Sequence, residues 1–419
     1  MEILIYLLIL LFALLGVPLF AIIASFALVA FSFAEVEVSA VAIEIYRISS
    51  APTLLTIPLF TFAGYLMAES GSPKRLLKLA DAALGWLPGG VAIVSLVICA
   101  FFTAFTGASG VTIIALGGLL FPILKSEGYS EKFSLGLITT SGSLGLLFPP
   151  SLPIILYGIV GKVDIDDLFK AGILPGILLI VILSLWAIKN GNLSTKRRSF
   201  VWIDFKEALL GCLPEAILPI VILGCIYGGI TTPSEAAAFT AFFVLIIECV
   251  IYKDICFKKD LPRIIGESMA LVGAILLILC CALGLTNFLV DEEVPMKLLE
   301  MMRQYLTNKY TFLIFLNIFL LIVGAMMDIF SAIIVVVPLI SPIAAEFGVH
   351  PVHLAIIFLT NLEIGYITPP VGINLFISSF RFKRPVTELY KASMPFLFLL
   401  LIALLIVTYV PALSLMWVE

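Results

Sequence analysis

Eleven apolar segments alternate with short polar loops, at roughly 3–33, 52–69, 91–124, 133–160, 171–189, 212–230, 235–252, 264–290, 311–341, 353–379 and 393–411. Most are long enough for a helix across the ~30 Å hydrocarbon core, which takes about 20 apolar residues. A transmembrane barrel would show short alternating segments instead, and none are visible. The pattern predicts an all-α polytopic membrane protein. The start, MEILIYLLIL, lacks a basic region and a small-residue cleavage site, so it reads as a retained first span. Segment 3–33 fits one tilted helix or two short ones broken near Gly16 and Pro18.

Composition agrees with the pattern. Of 419 residues, 62% are hydrophobic and 12% charged, against about 25% charged in a soluble domain. The net charge of −4 comes without any basic tract, so a nucleic-acid partner is not expected. The seven cysteines form no CxxC pair and read mostly as small core residues. His350 and His353 flank Pro351 and read as loop and helix-start residues.

Charge gives the topology. Basic loops fall at 73–78, 189–206, 253–263 and 381–391, and the positive-inside rule places all four in the cytoplasm. The acidic stretches 34–50, 163–167 and 291–293 then face out. Between 73–78 and 189–206 lie three apolar segments, where an even number of crossings is needed. One must therefore re-enter. Segment 91–124 is broken by FTGASGVT, and its arms 91–106 and 111–124 span about 24 and 21 Å at 1.5 Å per residue, short of the core. Segment 311–341, broken at GAMMD (324–328), repeats the case. The first hairpin enters from the cytoplasm and the second from outside.

The two regions form a repeat. GLLFPPSLPIILYG (145–158) and GYITPPVGINLFIS (365–378) place Gly145 against Gly365 and Pro149-Pro150 against Pro369-Pro370, 220 residues apart. LFKAGILPG (168–176) matches LYKASMPF (389–396), and the amphipathic stretches 73–87 and 293–306 correspond upstream. Each amphipathic stretch suits a helix lying in the membrane interface. Inverted repeats with paired interrupted segments point to a secondary transporter with its site near the midplane. Irregular backbone survives at that depth where it lines a polar cavity or is buried in protein.

On these residues the chain resembles the large membrane subunit of the TRAP (tripartite ATP-independent periplasmic) transporters. GVPLFAI (16–22), FTGASGVTI (105–113), TSGSLGLLFPPSLPIILYG (140–158), GGITTPSEAAA (228–238), GAMMD (324–328) and EIGYITPPVGINLF (363–376) carry the resemblance. It implies an ion-transporter-like elevator fold with inverted repeats. It also implies a Na⁺-driven importer of an organic acid anion, of the C4-dicarboxylate or sialic acid kind, with two or more Na⁺ sites. The implied partners are a periplasmic substrate-binding protein and a small four-helix membrane subunit, and the implied place is a bacterial inner membrane with the C-terminus outside. The alternatives are a stand-alone Na⁺/carboxylate symporter and a non-transporting receptor or scaffold. No Walker loop, HExxH or nucleophile–histidine set is present, so an enzyme or ATP-driven pump is not expected.

The expected organisation is scaffold 1–90 with interfacial helix 73–87, then a first transport half at 91–189. That half holds hairpin 91–124, interrupted helix 133–160 and helix 171–189. A cytoplasmic linker at 190–210 leads to scaffold 211–310 with interfacial helix 294–306. The second transport half, 311–419, holds hairpin 311–341, interrupted helix 353–379 and helix 393–411. At the first tip, Gly107, Ser109, Gly110 and Thr112 offer hydroxyls and free carbonyls, a hard oxygen set suited to Na⁺. Gly145, Phe148, Pro149 and Ser151 are expected to close that site. Asp328 is an ionisable group at depth and therefore a functional candidate, with a helix cap as its structural reading. Gly324, Thr360, Thr368 and Pro369 are expected to complete a second Na⁺ site, and Glu363 either joins it or pairs structurally. Ser141, Ser143, Asn361 and Asn374 are candidates for the substrate cavity, where an Asn in a membrane helix is as often an interhelical clamp. Thr232, Pro233 and Glu235 read as a structural capping box.

Overall fold

The structure, a computed structural model, describes residues 17–33, 52–190, 199–303 and 308–418, with scattered positions before residue 17 and Tyr46. It is helical, with no strand among the described residues. Helix α1 (Leu19–Phe33) begins just after Pro18. The choice between one helix and two over 3–33 lies largely outside the described residues, as does the acidic stretch 34–50. Among the described residues seven helices are long and apolar enough to cross a membrane, or up to nine if each bent pair is one span.

Helices α2 (Thr56–Glu69) and α3 (Ser72–Leu84) follow. The first hairpin is α4 (Gly90–Thr106) and α5 (Ser109–Ser126). The first interrupted helix is α6 (Glu131–Ser141), a 3₁₀ turn at Leu144–Leu147 and α7 (Leu152–Gly161), bent by 45° at the break. Helix α8 (Ile165–Asn190) completes the half. Within the expected linker 190–210, residues from 202 onward lie in helix α9 (Trp202–Gly211), bent by 73° from α10 (Leu213–Tyr227). Helix α11 (Pro233–Ile246) opens on the expected capping box and runs into a π turn at Ile247–Ile251. Then come α12 (Asp260–Asp291) and the amphipathic α13 (Val294–Arg303). The second hairpin is α14 (Lys309–Met326) and α15 (Ile329–Glu346). The second interrupted helix is α16 (Pro351–Gly365) and α17 (Ile373–Phe382), and α18 (Val386–Tyr409) with the short α19 (Ala412–Leu415) ends the chain.

The repeat holds in the backbone. Both hairpins turn within two residues, and the tips Ala108 and Asp328 stand 220 residues apart, as do the ends of α5 and α15. Gly128 and Gly348 both take positive φ, 86° and 69°. Lys162 and Lys383, which follow α7 and α17, are both left-handed at φ 53° and 51°. Both Pro-Pro bonds are cis. The arms are longer than the sequence suggested. Eighteen residues in each of α5, α14 and α15 reach about 27 Å, still just under the hydrocarbon thickness. The first tip is nevertheless inside the protein, with Thr106 fully buried and Ser109 3% exposed. A turn joining two complete spans would stand in water.

Packing is reciprocal across the halves. Helix α7 packs on α15, and α17 packs on α5, so each second half-helix rests on the other half's hairpin. Ser143 and Glu363 are repeat equivalents, and Ser143 Oγ lies 3.4 Å from the Glu363 carbonyl. Equivalent residues meet only near a two-fold axis, so the pseudo-axis runs between these two breaks. Gly145 and Gly365 make the matching close approaches. A Cβ on Gly145 would sit 2.1 Å from the Ala100 carbonyl, and one on Gly365 would sit 2.4 Å from the Gly324 carbonyl carbon.

Helices α1, α2, α11 and α12 pack on one another and reach the core through α2 on α4 and α12 on α15. Arg75 pins the amphipathic α3 to α10 and to the turn and loop that follow α11. Its Nε donates to Glu215 at 2.6 Å, Nη2 to Glu248 at 2.9 Å and Nη1 to Asp254 at 2.5 Å, with the Tyr252 ring centroid 3.8 Å away. Burial opposes the guanidinium's charge, but the bonds to Asp254 and Glu215 and the charge of Glu248 outweigh it and raise its pKa.

Candidate cation and substrate site

The first tip is a hydroxyl cluster. Gly107 closes α4 at φ 63°, which a side chain rarely tolerates, and a Cβ there would strike Leu152 of α7 at 2.5 Å. The Thr103 hydroxyl lies 2.8 Å from both Thr112 Oγ1 and the Gly142 carbonyl. Thr106 Oγ1 stands 3.5 Å from Thr112 Oγ1. The Ser109 carbonyl faces Gly142, 3.4 Å from where a Cβ on that glycine would lie. The tip therefore faces the end of α6 at Gly142, seven residues before Pro149. The carbonyls of Gly145 and Phe148, expected to be free, are closed in local turns by Phe148 N and Ser151 N. The Phe148 ring packs over Gly176 of α8, away from the tip. Ser151 is buried and its hydroxyl has no partner among the described residues, and the same holds for Thr140. Gly110 presses on Ile377 of α17.

The second tip carries a charge. Asp328 Oδ1 accepts from Phe330 N and Ser331 N, both at 3.0 Å, so it caps α15. Its other oxygen takes the Ser331 hydroxyl. The Ile329 N–H donates to Tyr366 Oη at 2.8 Å, which ties the tip to the second break. Gly324 crosses α16 at Leu362 and Gly365. Thr360 and Thr368 donate back to the Ile356 and Ile364 carbonyls at 2.7 and 2.8 Å. A hydroxyl that donates in this way keeps lone pairs for a cation. The loop after Pro369 folds onto the hairpin through Gly372 N to the Ala325 carbonyl. Glu363 is fully buried, with both carboxylate oxygens unpartnered among the described residues.

The substrate candidates separate. The Asn361 amide donates to Asn317 Oδ1 at 2.7 Å, and Asn317 reaches Thr408 Oγ1 at 3.1 Å, a clamp joining α16, α14 and α18. Asn374 donates to the Thr139 carbonyl and so ties α17 to α6. Ser141 bonds within α6, and Ser143 sits at the pseudo-axis. None of these four lines the cavity between the tips. That cavity, about 370 Å³, is lined by residues 107–111, by Asp328 and Phe330, and by Tyr366, Ile373 and Ile377. Tyr65 of α2 and Leu271, Ala274, Ile275 and Ile278 of α12 close its far wall. Asp328 is the charged side chain among these residues.

Thr103, Thr106, Gly142, Ser331 and Tyr366 were not anticipated. The pair Thr103 and Thr106, one helical turn apart just before the glycine turn, was the available signal. The donor chemistry fits Na⁺, since hydroxyls, carbonyls and one carboxylate are hard oxygens. No cluster of three His, Cys, Asp or Glu residues among the described residues offers a transition-metal site.

A duplicated helical core in which both hairpin tips and the second broken helix close on one cavity defines a membrane transporter built from inverted repeats. The chain belongs to the family described as the tripartite ATP-independent periplasmic transporter, DctM component, whose model matches residues 4–413. It is 34% identical over 389 residues to the C4-dicarboxylate TRAP transporter large permease protein DctM of Pseudomonas aeruginosa, covering 91% of this chain and 90% of that one. It is 36% identical over 362 residues to the isethionate TRAP transporter permease protein DctMQ of Oleidesulfovibrio alaskensis. That match covers 86% of this chain but only 57% of the relative. The ectoine TRAP transporter large permease protein TeaC of Halomonas elongata is 30% identical over 368 residues, covering 87% of this chain and 85% of that one. The fold is shared with the crystal structure of the YdaH transporter of Alcanivorax borkumensis, at TM-score 0.60, 13% identity, and 86% and 84% coverage. The chain is thus a multi-pass TRAP large permease and not an enzyme.

Proposed function

We propose that this permease imports an organic acid anion together with Na⁺, by an elevator motion of the hairpins and broken helices against the remaining helices. The observation that carries the reading is the charge of the cavity. Among its described lining residues Asp328 is the charged group, and no Lys or Arg joins it. An anion entering beside a carboxylate is repelled unless a cation is bound first. Na⁺ at the two tips supplies that charge and links the two binding events, which is ordinary reciprocal coupling. Thr103, Ser109, Thr112 and the Gly142 carbonyl would hold one ion. Asp328, the Thr368 hydroxyl and nearby carbonyls would hold another.

The name of the isethionate relative joins M and Q, and this chain spans only part of it. That supports a separate small membrane subunit as partner, with a binding protein delivering the substrate outside a bacterial inner membrane. Positive-inside counting puts the C-terminus on the outer side. The test is uptake by proteoliposomes holding the chain and its small subunit, with binding protein added. Succinate, isethionate, ectoine and N-acetylneuraminate form the panel. The expected result is uptake of at least one acid under an inward Na⁺ gradient. Equal uptake with K⁺ replacing Na⁺ would sink the coupling.

A further inference from the structure

The seam between α5 and α17 leads out of the central cavity. On α17, Ile373 and Ile377 line that cavity, and Arg381 stands one turn further along the same face. On α5, Gly110 and Val111 line it, and Ile114 and Gly118 continue the face. Arg381 Nε donates to the Ile114 carbonyl at 3.0 Å, and a Cβ on Gly118 would lie 1.9 Å from Nη2. The guanidinium is therefore seated on the hairpin through a glycine that makes room for it. A second cavity of about 500 Å³ opens there, lined by Ile114, Ser379, Phe380, Arg381 and Lys383. It shares the α5–α17 seam with the central cavity and lies toward the cytoplasmic loop 381–391.

Two features separate this place from an ordinary basic loop. Neither Arg381 nor Lys383 has a carboxylate within ion-pair distance among the described residues, whereas Arg75, Arg263 and Arg384 are all paired. The repeat equivalent of Arg381 is Val160, so the outer end of the core keeps only the lysine of the pair, Lys162, which lines its cavity together with Asp164 and Asp166.

We propose that Arg381 and Lys383 form an anion-receiving site on the cytoplasmic side of the transport path, taking the carboxylate or sulfonate of the substrate as it leaves the central cavity. This rests on the organic-anion reading given above. An arginine with one nitrogen fixed on backbone keeps its paired Nη donors for a planar oxyanion. The arginine has no outer counterpart and the outer lysine sits among carboxylates, so the two ends differ in the sense that inward transfer of an anion needs.

The test reads the local field first. A bimane label at Phe380→Cys, in a Cys256→Ser background, is placed in the full permease with its small subunit in nanodiscs. Quenching by iodide is compared with quenching by neutral acrylamide. The expected iodide preference is at least threefold, lost in Arg381→Gln, kept in Arg381→Lys and reduced by millimolar succinate or isethionate. An unchanged preference in Arg381→Gln overturns the proposal. Reduction by phosphatidylglycerol in the disc, with no effect of either acid, also overturns it and makes the site a lipid headgroup seat. This readout needs no transport, so failure of uptake for every acid tested speaks against the functional reading instead. Where uptake is present, Arg381→Gln is expected to lower it about tenfold and Val160→Ala to leave it unchanged.

Discussion

The two hairpin tips share one register and differ in backbone and chemistry, with Gly107 left-handed at φ 63° where Met327 is extended at −122°. Ala108 and Asp328 occupy the same N-cap position, each before an eighteen-residue helix. The first tip leaves its cap position without a side-chain bond and gathers hydroxyls from Thr103, Thr106 and Thr112. The second uses a carboxylate that caps its helix and faces the cavity. Duplication thus preserved the length and cap position of the turn while its backbone and side-chain chemistry diverged. A neutral oxygen set binds a cation weakly and releases it easily. A set with a carboxylate binds it more firmly and also lends its charge to the cavity.

The largest expected effect breaks the charged tip. Asp328→Ala should lower Na⁺-dependent uptake at least about 100-fold, while loss of the cap costs only about 1 kcal/mol. Initial uptake rates and thermal melting measured together check this, and near-normal uptake would remove Asp328 from the ion site. Thr103→Val attacks the neutral tip with almost no change in volume. It should raise the Na⁺ concentration for half-maximal uptake about tenfold, read from uptake against Na⁺. Pro149→Ala with Pro150→Ala should weaken Na⁺ dependence several-fold and leave membrane insertion intact, as should the Pro369 and Pro370 pair. A much larger effect in one pair would show that the two breaks have unequal roles. The smallest effect sharpens the comparison: Ala108→Asp should tighten Na⁺ binding at the first tip by about two- to fivefold, measured by calorimetry on the purified permease.

A separate stability test concerns α3. Arg75→Ala leaves Glu248 and Glu215, 0% and 3% exposed, without their cation. Removing one partner of such a buried set costs about 3–5 kcal/mol, which should appear as a lower melting temperature.

Much of the architecture was legible because it is written in hydropathy and proline. The parity of basic loops exposed both hairpins, and the paired Pro-Pro motifs aligned the halves to within one residue, the offset growing from 220 to 221 just after them. Asp328 was legible as a charge in oil. The finer site was not. Thr103 and Thr106 join the tip cluster only because the last turn of α4 faces the end of α6, which no local pattern states. Phe148 looked like a site residue beside the prolines, yet Gly176 offers its ring a flat seat elsewhere. Asn361 and Asn374 have the polarity of substrate ligands, but other helices hold their amides. Helix α9 was missed because WIDFKEALLG is short and charged for a span.

The meeting of Ser143 with Glu363 places the pseudo-axis at the two breaks, while the cavity takes its walls from both tips but from only the second break. The pocket is therefore handed. A cavity centred on a two-fold would accept a lopsided molecule equally well either way round. This one offers the Ser109 hydroxyl amid glycines at one end and a carboxylate with a tyrosine at the other, so a lopsided molecule would fit it in one orientation. The duplicated frame is symmetric, and the off-centre pocket within it is not.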